Sequence, residues 1–376
     1  MHICFIVEGY PYPNDPQMPF IKQLVVELTK QGITSTVIAP ASITRAYAHH
    51  LPLRPTKWVD NTNGVSITIF QPRYLSLSSF FTSFNRFLFH HAAKKAYKKI
   101  KNTDVLYAHF WHMAMVADQT DKNKPLFLAC GESKISVCER YGRPAINKMI
   151  ERLNGVIYVG TKSYHEAKDL QLQQNQPYII APNGYDESVF CIKDKQSCRK
   201  ELGWDNSAFV VLFVGSFIPR KGVNTLCDAL ELVKKNGIDC KACFVGDGPI
   251  KPYYSDTLYC GKVNHQNLAT YLNASDVFVL PTQNEGCCNA IIEALACGLP
   301  VISSNQSFND DILDESNSIR INPLSPEEIA DAIQSLFQNK EKRAELSKGA
   351  MKKADQLKIS VRASRILHFI EENCHK

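Results

Sequence analysis

No stretch of this 376-residue sequence approaches the roughly 20 uninterrupted apolar residues that a membrane-spanning helix requires. Internal repeats and low-complexity tracts are also missing, which excludes repeat arrays and compositionally driven disorder. The 13 cysteines are scattered, several of them inside apolar runs such as CFIV at 4–7 and ACFVG at 242–246. That pattern excludes a secreted disulfide framework and predicts reduced, buried thiols. One-sided charge is lacking too: 43 Lys and Arg against 37 Asp and Glu leave +6, short of the clustered basic surface of a nucleic-acid binder. No nucleic-acid partner is expected, and an anionic ligand or membrane surface is enough to account for the excess. The opening MHICFIVEGYP carries an apolar run too short for a signal h-region and reads as a first buried strand, so the cytosol is the expected compartment.

What the sequence does have is an alternation of short β-branched or aromatic runs with longer helical patterns, the signature of βαβ units around parallel sheets. Strands are predicted at 3–8, 35–40, 66–70, 104–109, 125–130, 155–160 and 178–183, then at 209–215, 241–246, 276–281 and 300–304. A helix through Phe20, Leu24, Val25 and Leu28 stops at Gly32, and similar patterns lie at 222–236, 288–297, 326–338 and 359–372. The class is α/β, with 376 residues and 44% hydrophobic content sufficient for two domains. The polar stretch 182–204, with turn chemistry at Asn183-Gly184, puts the boundary near residue 190, between an N-terminal domain over 1–190 and a C-terminal domain over 191–376. The last helix is free to close the second domain or to pack back on the first.

Open parallel α/β sheets bind ligands beyond the carboxyl ends of their strands, where helix N-termini offer free amides. In the second half the loop GSFIPRKGVNTL (215–226) follows a strand and opens a helix near Gly222. Arg220 and Lys221 therefore sit where a diphosphate would be held; the competing reading is a basic pair on a solvated helix start, where acids are normally preferred. Further on, DVFVLPTQNEGCCNAIIEALACG (276–298) reads as strand, loop, helix and glycine stop. Glu285 falls in the loop, suited to accept hydrogen bonds from sugar hydroxyls. Glu293 falls on the helix, four residues after Asn289 and on the same face, suited to ribose hydroxyls. The amides of Gly286, Cys287 and Cys288 are expected to face the ligand. Cys287 and Cys288 are adjacent and lack the reach of a CxxC metal pair. No DxD-like motif stands at a strand end, so neither a metal nor any other cofactor is expected.

At these residues the sequence resembles the retaining glycosyltransferases of the GT-B fold known as glycosyl transferases group 1, or family four. The resemblance rests on RKGV (220–223), VGDGP (245–249), YLNASDVFVLP (271–281), EGCCNAIIEALACGLPVI (285–302) and PNGYD (182–186). It implies two Rossmann-like domains facing each other across a cleft, with a nucleotide-diphosphate sugar as donor and a glycan or lipid-linked acceptor in cell-surface polysaccharide biosynthesis. It further implies that Lys221 and Arg220 bind the diphosphate, Glu293 the ribose, Glu285 the transferred sugar, and main chain near Val263 the nucleobase. His109, in YAHFWH (107–112), becomes the cleft histidine beside the donor sugar. Two departures stand out. Ser216 occupies a position where the family commonly has arginine, and the loop after the first strand, GYPYPNDPQMPF (9–20), lacks the usual glycines. Transfer is expected to be metal-free, with retention through front-face attack and no side-chain base. An epimerase or hydrolase on the same frame, or a silent sugar-nucleotide binding protein, are the alternatives; the first lacks added acid–base groups, and the second does not explain Lys221, Glu285 and Glu293.

Residues 80–101 place Phe80, Phe81, Phe84, Phe87, Leu88 and Phe89 ahead of Lys94, Lys95, Lys98, Lys99 and Lys101. Such a segment suits a membrane interface, making the protein peripheral on the inner face of the cell membrane. It suits equally a helix whose aromatics pack on the first sheet while its lysines are solvated.

Overall fold

Parallel strands with both faces covered need apolar residues on both sides, and the strands here supply them. The computed structural model describes residues 1–12, 17–77 and 82–375. It divides into two units, Met1–Ala181 with Ile359–Lys376, and Pro182–Lys358. In the first unit β1 (His2–Ile6), β2 (Thr34–Ile38), β4 (Lys57–Asp60), β5 (Ile67–Phe70), β7 (Val105–His109), β8 (Leu126–Cys130), β9 (Leu153–Tyr158) and β10 (Tyr178–Ile180) form one sheet, while β3 (Ala41–Ser42) and β6 (Arg73–Tyr74) make a small pair. The sheet order is β10-β9-β8-β7-β1-β2-β5-β4, parallel except for β4 against β5. Alternate side chains feed opposite layers: Cys4 and Ile6 join one core, Ile3 and Phe5 the other.

The second unit carries β11 (Phe209–Val214), β12 (Cys240–Val245), β13 (Thr257–Gly261), β14 (Val277–Leu280), β15 (Val301–Ser304) and β16 (Ser318–Ile321). All are parallel, in the order β13-β12-β11-β14-β15-β16. This is the 3-2-1-4-5-6 order of nucleotide-binding sheets, and its direction reverses between β11 and β14. The corresponding reversal in the first unit falls between β1 and β7. Each reversal opens a crevice at the strands' carboxyl ends.

The division between units lies at Ala181 and Pro182, not near residue 190. Tyr185 and Phe190 are the reason, since both are buried in the core of the second unit. The final helix, Ile359–Asn373, is part of the first unit and not of the second. Its buried stripe of Ile359, Ala363, Ile366, Phe369 and Ile370 lies on the core that contains Phe5 and Phe127. Phe369 meets the Phe127 ring edge-on at 5.9 Å. Room for it comes from Gly155 in β9, where a Cβ would lie 2.6 Å from the Phe369 ring. Burying each of these large side chains contributes about 1.5–3 kcal/mol. Among the described residues no helix is long and apolar enough to cross a membrane.

Candidate functional site

The crevice between β11 and β14 is built by two loops that lock together. After β11 the chain turns through Gly215 and a single 3-10 turn, Pro219–Lys221, before the helix Val223–Lys235 begins. Gly222 joins them at φ 73°, and a Cβ there would lie 2.4 Å from the carbonyl oxygen of Pro281. Only glycine allows the helix start to come this close to the end of β14. A second such contact explains VGDGP: a Cβ on Gly246 would fall 1.9 Å from the Gly215 carbonyl oxygen. Across the crevice Gln283 N donates to Arg220 O at 2.9 Å, fixing the register of the two loops.

Within this frame the predicted charged residues converge. Lys221 Nζ donates to Glu285 Oε1 at 2.5 Å, Arg220 Nη1 donates to the same oxygen at 2.9 Å, and Thr282 Oγ1 donates to it at 2.8 Å. Arg220 also bonds the Asn284 carbonyl. The Lys221 and Glu285 side chains are only 13% and 12% exposed, so their attraction is less screened than that of a surface pair. One carboxylate thus holds two cations at the end of the sheet, both within reach of an anion entering the crevice. Ser216 is exposed at the end of β11, and Gly286 is half-buried in the β14 loop.

Beyond the loop comes the helix Asn289–Ala296, whose preceding residue, Cys288, is buried and gives no side-chain cap. Burial pushes the Cys288 thiol up to about 11. Glu293 is 8% exposed, and its Oε1 is 2.9 Å from His265 Nε2. That hydrogen bond raises the His265 pKa against the opposing effect of burial. Val263, two residues earlier, packs partly buried against the core just past β13. Asn289 is held from the segment read as a connection: Asn183 Nδ2 donates to Asn289 Oδ1 at 2.8 Å and to the Cys287 carbonyl at 3.4 Å, while Asn183 N donates to Cys287 Sγ. The Cys287 carbonyl is therefore turned toward Asn183. Sequence alone marks Asn183 as turn chemistry and places Thr282 and His265 inside the runs 276–298 and 259–272, but it assigns none of the three a partner in the site.

His109 lies in the first unit, at the end of β7 in the crevice beside β1. It is 2% exposed, its ring held between Phe20 at 5.4 Å and Phe110 at 4.6 Å. Burial first, then Arg362 and His112, push its pKa down to about 3, so the ring is neutral at pH 7. Nδ1 is buried and has no hydrogen-bond partner among the described residues. His112, at the start of the next helix, is 3.6 Å from Glu8 and is pushed down to about 4, chiefly by burial. Nearby, a pocket of about 330 Å3 opens after β1, β2 and β5, lined among others by Glu8, Arg45, Arg54, Gln71, Arg73 and Tyr74. In the loop after β1, Met18 takes a left-handed conformation (φ 51°) and Pro19 starts the helix Pro19–Lys30.

The segment read as a membrane candidate divides. Phe80 and Phe81 lie outside the described residues. In the helix Thr82–Tyr97, Phe89 packs against the core and meets Tyr74 at 5.4 Å, as a sheet-facing aromatic should. Phe84 and Phe87 instead stack on each other and are 49% and 62% exposed. His91, Lys94, Lys95 and Lys98 continue the same exposed stripe at helical spacing.

The glycosyl transferases group 1 family model matches residues 194–353, inside the unit that carries the Lys221–Glu285 cluster. Residues 194–353 are a glycosyl transferases group 1 domain. The chain is a glycosyltransferase with the GT-B fold. It is 27% identical over 366 residues to TuaC of Bacillus subtilis (strain 168), a glycosyltransferase named for teichuronic acid biosynthesis, covering 89% of this chain and 88% of that one. It is 26% identical over 130 residues to Protein CapJ of Staphylococcus aureus, covering 32% of this chain and 33% of CapJ. Among solved structures, sucrose-phosphate synthase from Thermosynechococcus elongatus shares the fold at a TM-score of 0.80, with 16% identity and 99% of both chains covered. Anabaena HepE in complex with UDP-glucose does so at 0.71, with 16% identity over 99% of this chain and 100% of HepE. The Lys221–Glu285 and Glu293–His265 contacts lie within the matched span, while Asn183 and His109 lie outside it.

Proposed function

We propose that this glycosyltransferase moves a sugar from a nucleoside-diphosphate sugar to a glycan or lipid-linked acceptor in cell-surface polysaccharide assembly, with retention and without a metal. The observation that carries the reading is the convergence of Lys221, Arg220 and Thr282 on one oxygen of Glu285 at the switch point of a 3-2-1-4-5-6 sheet. An incoming diphosphate competes for the two cations; as the glycosidic bond breaks, the electron pair leaves with its oxygen, and the negative charge that builds there is stabilised by Lys221, Arg220 and the dipole of the helix Val223–Lys235. Glu285, relieved of part of its pairing, accepts hydrogen bonds from the transferred sugar. Glu293 exchanges His265 for the ribose hydroxyls, and main chain near Val263 meets the base.

His109 stays neutral and offers Nδ1 to a sugar hydroxyl. No side chain acts as base; the departing phosphate helps to take the acceptor proton. Complexes of HepE with UDP-glucose support a nucleoside-diphosphate donor, and the naming of TuaC supports a surface-polymer acceptor. The acceptor enters the pocket beside Glu8 and Tyr74. Exposed Phe84 and Phe87, followed by lysines on the same helix face, rest on an anionic bilayer where a lipid-linked acceptor would be met. A thermal-shift panel of nucleotide sugars, run with and without EDTA, tests the reading. Stabilisation by a nucleotide sugar that persists in EDTA is expected; no stabilisation by any of them, or stabilisation abolished by EDTA, overturns it.

A further inference from the structure

The turn that carries His109 is strained. Phe110 follows β7 at φ 84° and ψ 149°, a region nearly reserved for glycine that costs about 1–3 kcal/mol for a side-chain-bearing residue. Such a conformation persists only where its surroundings fix it, and here the end of β8 acts as the mould. Phe110 N donates to Ala129 O at 2.8 Å, and the Trp111 indole donates to Cys130 Sγ at 3.3 Å. Gly131 lies so close that a Cβ would stand 3.2 Å from His109 Nε2 and 3.4 Å from Phe110. The last fastening is a carboxylate: Glu132 Oε1 accepts the amide of Trp111 at 2.6 Å, the first amide of the helix Trp111–Thr120.

We propose that Glu132 is a positioning residue, latching the Phe110–Trp111 turn through its carboxylate so that the His109 imidazole is presented in one fixed orientation. The proposal rests on the role given to His109 above. It goes beyond that role by assigning the device that sets the ring and by making that device responsive to pH. An ionised carboxylate at a helix start forms a charge-assisted bond favoured by the helix dipole; a protonated one is a weaker acceptor with a hydroxyl to satisfy.

The second oxygen, Oε2, is buried and has no hydrogen-bond partner among the described residues. The surrounding titratable groups are the Cys130 thiol, Glu166 on the helix Thr161–Asp169, His109, His112, Glu8, Arg140 and Arg362. Glu166 Oε1 accepts Ile135 N at 2.8 Å, closing the same loop from the other side. Burial pushes Glu132 up to about 7, against the lowering effect of its hydrogen bonds. His109 and His112, at about 3 and about 4, do not change charge there, and the Cys130 thiol is raised well above its usual value by burial. The latch therefore tightens as pH rises through neutrality.

The test follows the histidine ring itself. In protein carrying 13C-labelled histidine, the His109 Cε1–H resonance is assigned by its loss in His109→Gln and followed from pH 5.5 to 8.5, a range chosen to bracket about 7. A shift with a midpoint near 7 is expected in the parent, where the ring itself stays neutral, and a flat line in Glu132→Gln. Turnover of the best-stabilising nucleotide sugar in Glu132→Gln should fall roughly fivefold to tenfold in kcat with KM nearly unchanged, and its acid limb near neutrality should vanish. A parent resonance without a transition in that range overturns the proposal and needs no variant to fold. A titration that survives Glu132→Gln overturns it too. If the latch titrates as expected but His109→Gln turns over like the parent, the fault lies with the role of His109 and not with Glu132.

Discussion

Replacing Glu285 by glutamine keeps the side chain's shape and removes its charge, and the two things Glu285 does should then separate. Its Oε1 neutralises Lys221 and Arg220 from 2.5 and 2.9 Å. It is also a negative charge beside the place of the diphosphate, at a separation on the order of 6 Å once the cations lie between them. At an effective dielectric near 20 that repulsion is about 3 kcal/mol gross, and solvent at the open strand ends reduces it to about 1 kcal/mol. Free nucleoside diphosphate should therefore bind Glu285→Gln about fivefold more tightly. Turnover should move the other way. Loss of a charged hydrogen bond to the transferred sugar costs roughly 2 kcal/mol, about 30-fold in kcat/KM. Isothermal titration with the nucleoside diphosphate and steady-state kinetics with the matching nucleotide sugar read both effects. If affinity and turnover fall together, Glu285 is a clamp for the loop and the sugar contact is wrong; if neither changes, the site lies elsewhere.

Lys221→Ala should lose roughly 2 kcal/mol of transition-state stabilisation, seen as a kcat/KM decrease of about 30-fold, and parent-like turnover would rule out its role at the diphosphate. His265 gains a partner on folding, so its pKa is raised and its contribution is fully present below the unfolded value of about 6.5 and lost as pH rises through the higher folded one. The melting-temperature gap between the parent and His265→Asn should then be widest at acid pH and narrow above neutrality; a gap independent of pH contradicts the pairing with Glu293. Gly155→Ala forces a methyl to 2.6 Å from Phe369 and should destabilise by about 1–3 kcal/mol, with Phe369→Leu in the same chain restoring part of the loss. Sedimentation with anionic liposomes should fall when Phe84 and Phe87 become serine and again when Lys94, Lys95, Lys98 and Lys99 are reversed in charge. Binding that ignores both changes, or is absent in the parent, removes the membrane surface.

The buried strands were legible because each is an apolar run bounded by turns, and the helices Val223–Lys235, Asn289–Ala296 and Pro326–Gln338 lie within a residue or two of their periodic patterns. Besides the two-residue pair Ala41–Ser42 and Arg73–Tyr74, three strands of the main sheets were not read: Lys57–Asp60, Thr257–Gly261 and Ser318–Ile321. All three are sheet edges, where a strand is covered on fewer sides and need not be continuously apolar. KWVD, TLYCG and SIRI accordingly mix polar and apolar residues over four or five positions.

The site divides along a similar line. Lys221, Arg220, Glu285 and Glu293 stand at positions fixed by strand–loop–helix order, which sequence carries. Asn183 reaches Asn289 across 106 residues, and Glu132 reaches Trp111 across 21, so each contact depends on strand neighbours that no local pattern encodes. Phe84 and Phe87 show the same limit: composition revealed an aromatic and basic helix, but which rings face the core depends on the sheet beneath.

The chain leaves the first unit at Ala181, completes the second, and returns at Ile359 to finish the first. The second unit is thus an insertion, and its two ends are stapled side by side, with Tyr185 N donating to Leu357 O at 3.0 Å and Tyr185 bridged to Lys358. Truncation from the carboxyl terminus would accordingly damage the unit that begins at Met1 and spare the one just before the cut. A fragment of the second unit for crystallography or isotope labelling should be excised as 182–358, because a cut at 190 would strip away Asn183 and Tyr185 along with the staple.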